Sequence, residues 1–437
     1  MGYAQYNEQE SSEVVWLQDI PRNWRLKRLK FSTYLINDKV SVEDSNLPYL
    51  GLEHIESWTG RRIAGEINNS EGLASKFAPS DILFGKLRPY LAKVYLADAD
   101  GLISSEALVV RTKPEIYAEF LKYYMLSLDF INIVDSSTYG TKMPRASWDF
   151  IGNLPVLLPD VEEQQTIARF LDFKTGQIDA LIAKKKMLID KLAEKRISLI
   201  SHAVTKGLDP SVPMKDSNVD WLGKIPAHWE ALPLRRLVRT VKTGSTPSGV
   251  NEIHFDDEGM PWFRPGDFSD HLFLDVAEKH LSKEGVAEVR IFPKDTVMHV
   301  GIGATIGKVG VTTQQCSCNQ QINGIICNEK LHYLFVAYFL QSIRDFIVRC
   351  GKYTTLPIIN QDETKSLKII APPIDEQIEI SNHLLKEEKH MALQQQKIKQ
   401  VIRRLIEYRS ALITNAVTGK IDVRNFRFPE NKQVEAS

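Results

Sequence analysis

The sequence of 437 residues is short of several things that would classify it at once. It has no apolar run near the roughly 20 residues needed to cross a bilayer. The opening stretch MGYAQYNEQESSEVV has no apolar core, so no signal peptide is expected and the expected location is cytoplasmic. Tyr6 stands where a myristoylation signal after Met-Gly calls for Ser or Thr. Cysteine is scarce. Of Cys316, Cys318, Cys327 and Cys350, only the first two are close together, whereas zinc sites usually need two such pairs. Buried free thiols are expected, and no metal. Excess charge is missing too: 55 basic residues balance 55 acidic ones. The chain therefore lacks the overall basicity common in nucleic-acid-binding domains. Basic residues can still cluster on one face while acids face elsewhere or meet partner subunits.

Catalytic signatures are also lacking. The stretch Gly301-Ile302-Gly303-Ala304-Thr305-Ile306-Gly307-Lys308 misses the dinucleotide fingerprint by one residue, and no clear helix follows it. It misses the P-loop as well, with Ile302 in place of the first Gly and Val309 in place of Ser or Thr. A β-turn is expected there. Glu363-Thr364-Lys365 and Glu387-Glu388-Lys389 lack a preceding Asp on a convincing strand and read as surface charge. Ala371-Pro372-Pro373-Ile374 has the prolines of a methyltransferase motif without its Asn or aromatic ring. No Ser/His/Asp grouping stands out, and the chain reads as non-catalytic.

What is present is a long repeat. Pro159–Thr205 returns 213 residues later as Pro372–Thr418, without a gap. Matched pairs include Glu163/Glu376, Gln164/Gln377, Ile167/Ile380, Arg196/Arg409 and the closing Ala-Val-Thr. Apolar residues at 167, 170, 171, 178, 181, 182, 188, 189, 192, 199, 200 and 203 predict one stripe of a long helix. Asp160 with Glu163 suits a capping box, and Gly207 and Gly419 suit left-handed stops. Two such helices of about 60 Å can bury each other as a coiled coil. A shorter repeat precedes each: Trp16-Leu17…Ile20-Pro21…Trp24 matches Trp221-Leu222…Ile225-Pro226…Trp229.

Between these repeats lie two variable segments with common landmarks. Asp81–Lys86 aligns with Asp295–Val300, Ala92-Lys93-Val94 with Gly307-Lys308-Val309, and Thr141…Pro144 with Thr354…Pro357. Strand-like runs such as Ala107–Arg111 and Ile322–Cys327 alternate with helical patterns at Tyr117–Leu128 and Tyr333–Arg349. The expected fold is mixed α/β, with an internal repeat. Its parts are module one at 1–158, a long helix at 159–206, linker and module two at 207–371, a second long helix region at 372–425, and a tail at 426–437.

Loops rich in Arg, Lys, amide and aromatic residues recur at matching places. Such side chains neutralise phosphates or read base edges. The candidate DNA contacts are Lys86, Arg88, Tyr90, Lys142 and Arg145 in the first module. In the second they are Lys242, Ser245, Thr246, Trp262, Arg264, Lys308, Gln320, Gln321, Lys352, Tyr353 and Thr354.

The paired Ile-Pro-x-x-Trp stretches, Thr243-Gly244-Ser245-Thr246-Pro247-Ser248 with Trp262, the Pro…Glu-Gln-x-x-Ile helix starts and the Ala-Val-Thr ends together resemble the specificity (S) subunit of type I restriction-modification systems. The resemblance spans residues 14–425 and implies two target recognition domains, each reading half of a bipartite, asymmetric sequence in double-stranded DNA. It implies that the helices form an antiparallel coiled coil separating the domains. It further implies two methyltransferase subunits using S-adenosylmethionine, two restriction subunits using ATP and Mg²⁺, and no cofactor on this chain. The first module lacks the Thr-Pro loop and has Asn37–Ser45 in that region. Two alternatives are a nuclease or methyltransferase carrying its own recognition domains, and a coiled-coil scaffold that reads no sequence.

Overall fold

A computed structural model describes residues 3–63, 65, 72–140, 142–248, 252–269, 271–350, 352, 353 and 357–428, apart from the side chains of 350, 352, 353 and 357. The chain forms two compact units, Met1–Lys186 with Lys399–Ser437, and Met187–Ile398. Two uninterrupted helices, Val161–Lys206 and Ile374–Val417, contribute to both. No helix among the described residues is long and apolar enough to cross a membrane.

Local chemistry fixes the ends of these helices. The Asp160 carboxylate accepts from the Glu163 amide at 2.8 Å, as an N-cap should. Gly207 and Gly419 end the helices with φ of 78° and 73°, a conformation that costs a residue with Cβ about 1 kcal/mol or more. The second helix consequently stops at Val417, short of 425. In the first unit Ile167, Phe170, Leu171 and Ile178 share a core with Leu412, Ile413, Ala416 and Val417. In the second, Ile200, Ala203 and Val204 share one with Ile380 and Leu384. The start of one helix thus accompanies the end of the other in each unit, so the helices run antiparallel. Between these ends, residues 182, 185, 189, 192, 196 and 199 are half-buried, with the alternating three-four spacing of a two-stranded seam. Leu181 and Leu188, expected on the stripe, are each 41 % exposed and flank that seam.

The shorter repeat forms the platform that receives each helix. Arg25–Arg28 pairs antiparallel with Pro155–Leu158, and Glu230–Pro233 with Lys368–Ala371; each second strand leads straight into a long helix. Ile20-Pro21 and Ile225-Pro226 lie in small hairpins, Gln9–Ser11 with Asp19–Pro21 and Met214–Asp216 with Lys224–Pro226.

Each module adds two larger sheets. In the first unit one sheet has the strand order Thr33–Ile36, Ala107–Thr112, Ile82–Gly85, Val94–Leu96. Its counterpart orders Val238–Thr243, Ile322–Cys327, Val297–Val300, Val309–Thr312 and then Phe273–Leu274. Helices Ala118–Met125 and Leu128–Ser136, or Tyr333–Ser342 and Arg344–Cys350, belong to the same units. The break after Met125 replaces the single helix expected over 117–128. The strands match at an offset of 215: Ala107 faces Gly85, and Ile322 faces Val300. The alignment of Asp81–Lys86 with Asp295–Val300, at 214, is one residue out, whereas that of Ala92–Val94 with Gly307–Val309 has the register of the strands. A one-residue slip inverts every side chain of a strand, and the register makes Asp81 equivalent to Thr296, both fully buried.

Candidate nucleic-acid interface

The residues shared by the two repeats are used for construction. Gln164 Nε2 donates to the carbonyls of Glu115 (3.0 Å) and Pro159 (2.9 Å), and its Oε1 accepts from the Tyr117 amide at 2.8 Å. Gln377 does the same with Lys330 O (3.0 Å), Pro372 O (2.8 Å) and the His332 amide (2.8 Å). One buried amide side chain therefore pins the module to the first turn of the helix in both units. Arg409, 7 % exposed, donates to Asp179 at 3.0 Å and to the carbonyls of Trp58 and Thr59. Arg196 donates to Glu388 at 2.6 Å, which also accepts from Tyr338 Oη at 2.7 Å.

Most of the candidate contacts lie on loops at one end of each main sheet, with Lys242 and Trp262 on strands. In the first unit, the loop with Lys86, Arg88 and Tyr90 meets the loop with Lys142 and Arg145. Leu87 bridges Arg145, and the Arg88 amide donates to Pro144 O at 2.8 Å. Arg88, Tyr90 and Lys142 are exposed, and Arg88 has φ of 51°. Tyr139 and Met143 lie exposed on the second loop. Arg145 is held by Glu106 through Nε (2.9 Å) and Nη2 (3.2 Å). Thr141 and Thr354 lie outside the described residues.

In the second unit, Ser245, Thr246, Trp262, Gln320 and Gln321 are drawn together. The Ser245 amide donates to Cys318 O at 2.8 Å, and Trp262 Nε1 donates to Ser245 O at 3.1 Å. Thr246 Oγ1 donates to Gln320 Oε1, and Asn319 Nδ2 donates to Gln321 Oε1 at 2.9 Å. Gly244 permits this closure: a Cβ there would lie 2.3 Å from Cys318 O. Lys242 is exposed on the adjoining strand. Arg264 is apart from this group, pairing with Glu278 at 2.5 Å. Lys308 Nζ donates to Phe268 O at 2.8 Å, and Lys93 donates to Leu52 O at 2.5 Å at the matching place in the first unit. That repetition marks a lysine used to fasten a loop. Lys352 and Tyr353 form a two-residue strand with Pro357–Ile358, with their side chains outside the described set.

Glu106 and Arg290 were missed from the sequence. Arg290 donates through its amide to Ser245 Oγ at 2.7 Å and through Nη1 to Thr243 O. Neither residue sits in a recognisable motif, since each acts through a partner distant in sequence. The Gly301–Lys308 stretch forms a turn, with Ile306 N donating to Gly303 O at 3.1 Å. Cys316 and Cys318 are buried free thiols, and burial pushes the Cys316 thiol up to about 12. Among the described residues, no group of three or more His, Cys, Asp or Glu is placed to hold a metal.

A model of the type I restriction modification DNA specificity domain matches residues 60–191 and 226–404. The chain belongs to this family. It is 23 % identical to the MjaVIII type I restriction enzyme specificity subunit of Methanocaldococcus jannaschii, over 97 % of this chain and 98 % of that one. It is 30 % identical to the EcoDI specificity subunit of Escherichia coli, over 41 % and 42 % of the two chains. Its fold resembles a chain of a type I R-M system solved for its complex assembly and conformational transition, with TM-score 0.74 and 18 % identity over 91 % of this chain and 98 % of that one. It also resembles the HsdS subunit of Thermoanaerobacter tengcongensis, with TM-score 0.55 and 18 % identity over 92 % and 98 %. As a type I specificity subunit, the chain is a non-catalytic DNA-recognition component.

Proposed function

We propose that the two modules of this specificity subunit each read one half of a bipartite, asymmetric DNA sequence, and that the paired helices set the spacer between the halves. The carrying observation is that both units use the same helix clamps and sheet register while presenting unlike side chains on their end loops. A scaffold alone has no need of that divergence. In this reading Lys86, Arg88, Tyr90, Lys142 and Arg145 face one half-site, and Lys242, Ser245, Thr246, Trp262, Gln320 and Gln321 face the other. Two methyltransferase subunits would dock on the repeated elements and bind S-adenosylmethionine. Restriction subunits would bind ATP and Mg²⁺.

The test is to map methylated adenines made by the complex. Exchanging residues 31–155 for those of a relative should change one half-site only. Four residues inserted near Lys184 add about 6 Å of helix, with the stripe nearly in phase. The spacer should then lengthen by one to two base pairs of about 3.4 Å each, with both half-sites unchanged. An insertion of two residues rotates the stripe by about 200° and should abolish activity or solubility. Altered half-sites after the four-residue insertion, or an unchanged spacer in an active complex, would refute the helical ruler.

A further inference from the structure

Backbone bonds place one pair of side chains at the same topological position in both units. In the first, the Lys86 amide donates to Glu106 O at 2.9 Å, the Ala146 amide donates to Lys86 O at 3.0 Å, and Leu87 bridges Arg145. In the second, the Gly301 amide donates to Gln321 O and the Ile359 amide to Gly301 O, both at 2.8 Å, and Ile302 bridges Ile358. Glu106 thus corresponds to Gln321, and Arg145 to Ile358. The framework is shared and the chemistry is not.

The first pair is arranged to present a guanidinium. Glu106 engages the Nε/Nη2 edge of Arg145, and the two side chains remain 29 % and 36 % exposed. That leaves the Nη1/Nη2 edge, whose parallel N–H groups match the N7 and O6 acceptors of guanine. An arginine already held by a carboxylate loses less rotamer freedom on binding than a mobile one. Exposed Arg88 and Lys142 flank it. The second pair offers neither feature. Gln321 carries an amide whose Oε1 accepts from Asn319, and Ile358 is an apolar side chain, 38 % exposed.

Building on the reading that the end loops contact DNA, we propose that Arg145 reads a guanine in one half-site only, and that Glu106 is the positioning residue that aims it. The experiment uses the full chain in complex with its methyltransferase partner. Methylated motifs are mapped for the wild type and for Arg145→Ala, Arg145→Lys, Glu106→Ala and Glu106→Gln. Arg145→Ala should lose its preference for G·C at one base pair of one half-site, by roughly 5- to 150-fold. Glu106→Ala should relax that same position by a smaller factor. Glu106→Gln, which keeps one acceptor, should fall between Glu106→Ala and the wild type. The other half-site should stay strict throughout. Replacing the guanine with 7-deazaguanine should weaken wild-type binding and leave the Arg145→Ala complex unaffected. Strict specificity in Arg145→Ala, or loss spread evenly over all sequences, would overturn the assignment. Strict specificity in both Glu106 variants would remove Glu106 from it. A wild-type complex that methylates no bipartite motif would instead overturn the underlying reading.

Discussion

Trp229 and Trp24 fill matching places in the two units, yet their surroundings are completed differently. Trp229 Nε1 donates to Glu376 at 2.9 Å, and His228 approaches the same carboxylate oxygen at 2.8 Å. The matching carboxylate in the first unit, Glu163, accepts from Tyr6 Oη at 2.7 Å and has Arg424 at 3.8 Å. Tyr6 comes from near the start of the chain and Arg424 from near its end. The Asp422 amide donates to Ala4 O at 2.8 Å, and Tyr3 and Phe426 both pack on Phe170. The second unit takes its corresponding segment from the linker after Gly207. The same carboxylate position thus tolerates two sets of donors, provided that a burial cost is met by hydrogen bonds. Burial raises the Glu163 pKa, and the Tyr6 and Arg424 contacts oppose that shift.

The comparison can be tested in stability. Trp229→Ala should have the largest effect, because it empties a fully buried site and strips a donor from Glu376. A loss of about 3–5 kcal/mol is expected, confined to the second unit and visible by amide hydrogen exchange. Equal loosening of both units would break the comparison.

A pH effect should come next. His299 is fully buried with neither ring nitrogen bonded, and burial lowers its pKa to about 4. The register places it opposite Asn323, as Phe84 is placed opposite Leu108, so the first unit carries a phenyl ring at this position. The unfolded imidazole binds a proton near pH 6.5 and the folded one does not until about pH 4. This stability is fully present above pH 6.5 and is lost as pH falls toward 4, by on the order of 3 kcal/mol. His299→Phe should remove that component, measured as the difference between denaturation midpoints at pH 7 and pH 4.5. An unchanged difference would show that His299 finds a proton-accepting partner.

Gln164→Ala and Gln377→Ala should cost nearly the same, about 1–3 kcal/mol for the orphaned backbone groups, in their respective units. A gap above about 1 kcal/mol between them in chemical denaturation would mean that the two clamps are not equivalent. Tyr6→Phe should be mildest at about 1.5 kcal/mol, and should affect the first unit alone.

Much of this scaffold can be read from residues because it is written twice. The Gln at each helix start acquires matching partners and the closing glycines share one backbone conformation, and a feature paired with itself is hard to misread. The strand register was less legible. Asp81 and Asp295 look alike, but Ser80 and Asp295 share the left-handed backbone, with φ of 69° and 63°. The recognition ends were legible only as residue types. Arg145 finds Glu106 across 39 residues and Arg290 reaches Thr243 across 47, pairings that only the folded loops create. The contribution of both chain ends to one unit left no trace in the repeat, which breaks where those ends occur.

That shared closure bears on the order in which the protein is made. The second unit is one unbroken stretch, Met187–Ile398, and all of its residues are present once that stretch has left the ribosome. The first unit is begun earlier but draws on Lys399–Ser437, including Leu412, Ile413, Ala416 and Val417 of its core. Its opening helix therefore lacks part of the core around Ile167, Phe170 and Leu171 until Leu412, Ile413, Ala416 and Val417 have been made. The unit begun first is therefore the unit completed last, and a nascent chain stalled before Lys399 would leave open to chaperones the apolar residues that Leu412, Ile413, Ala416 and Val417 cover.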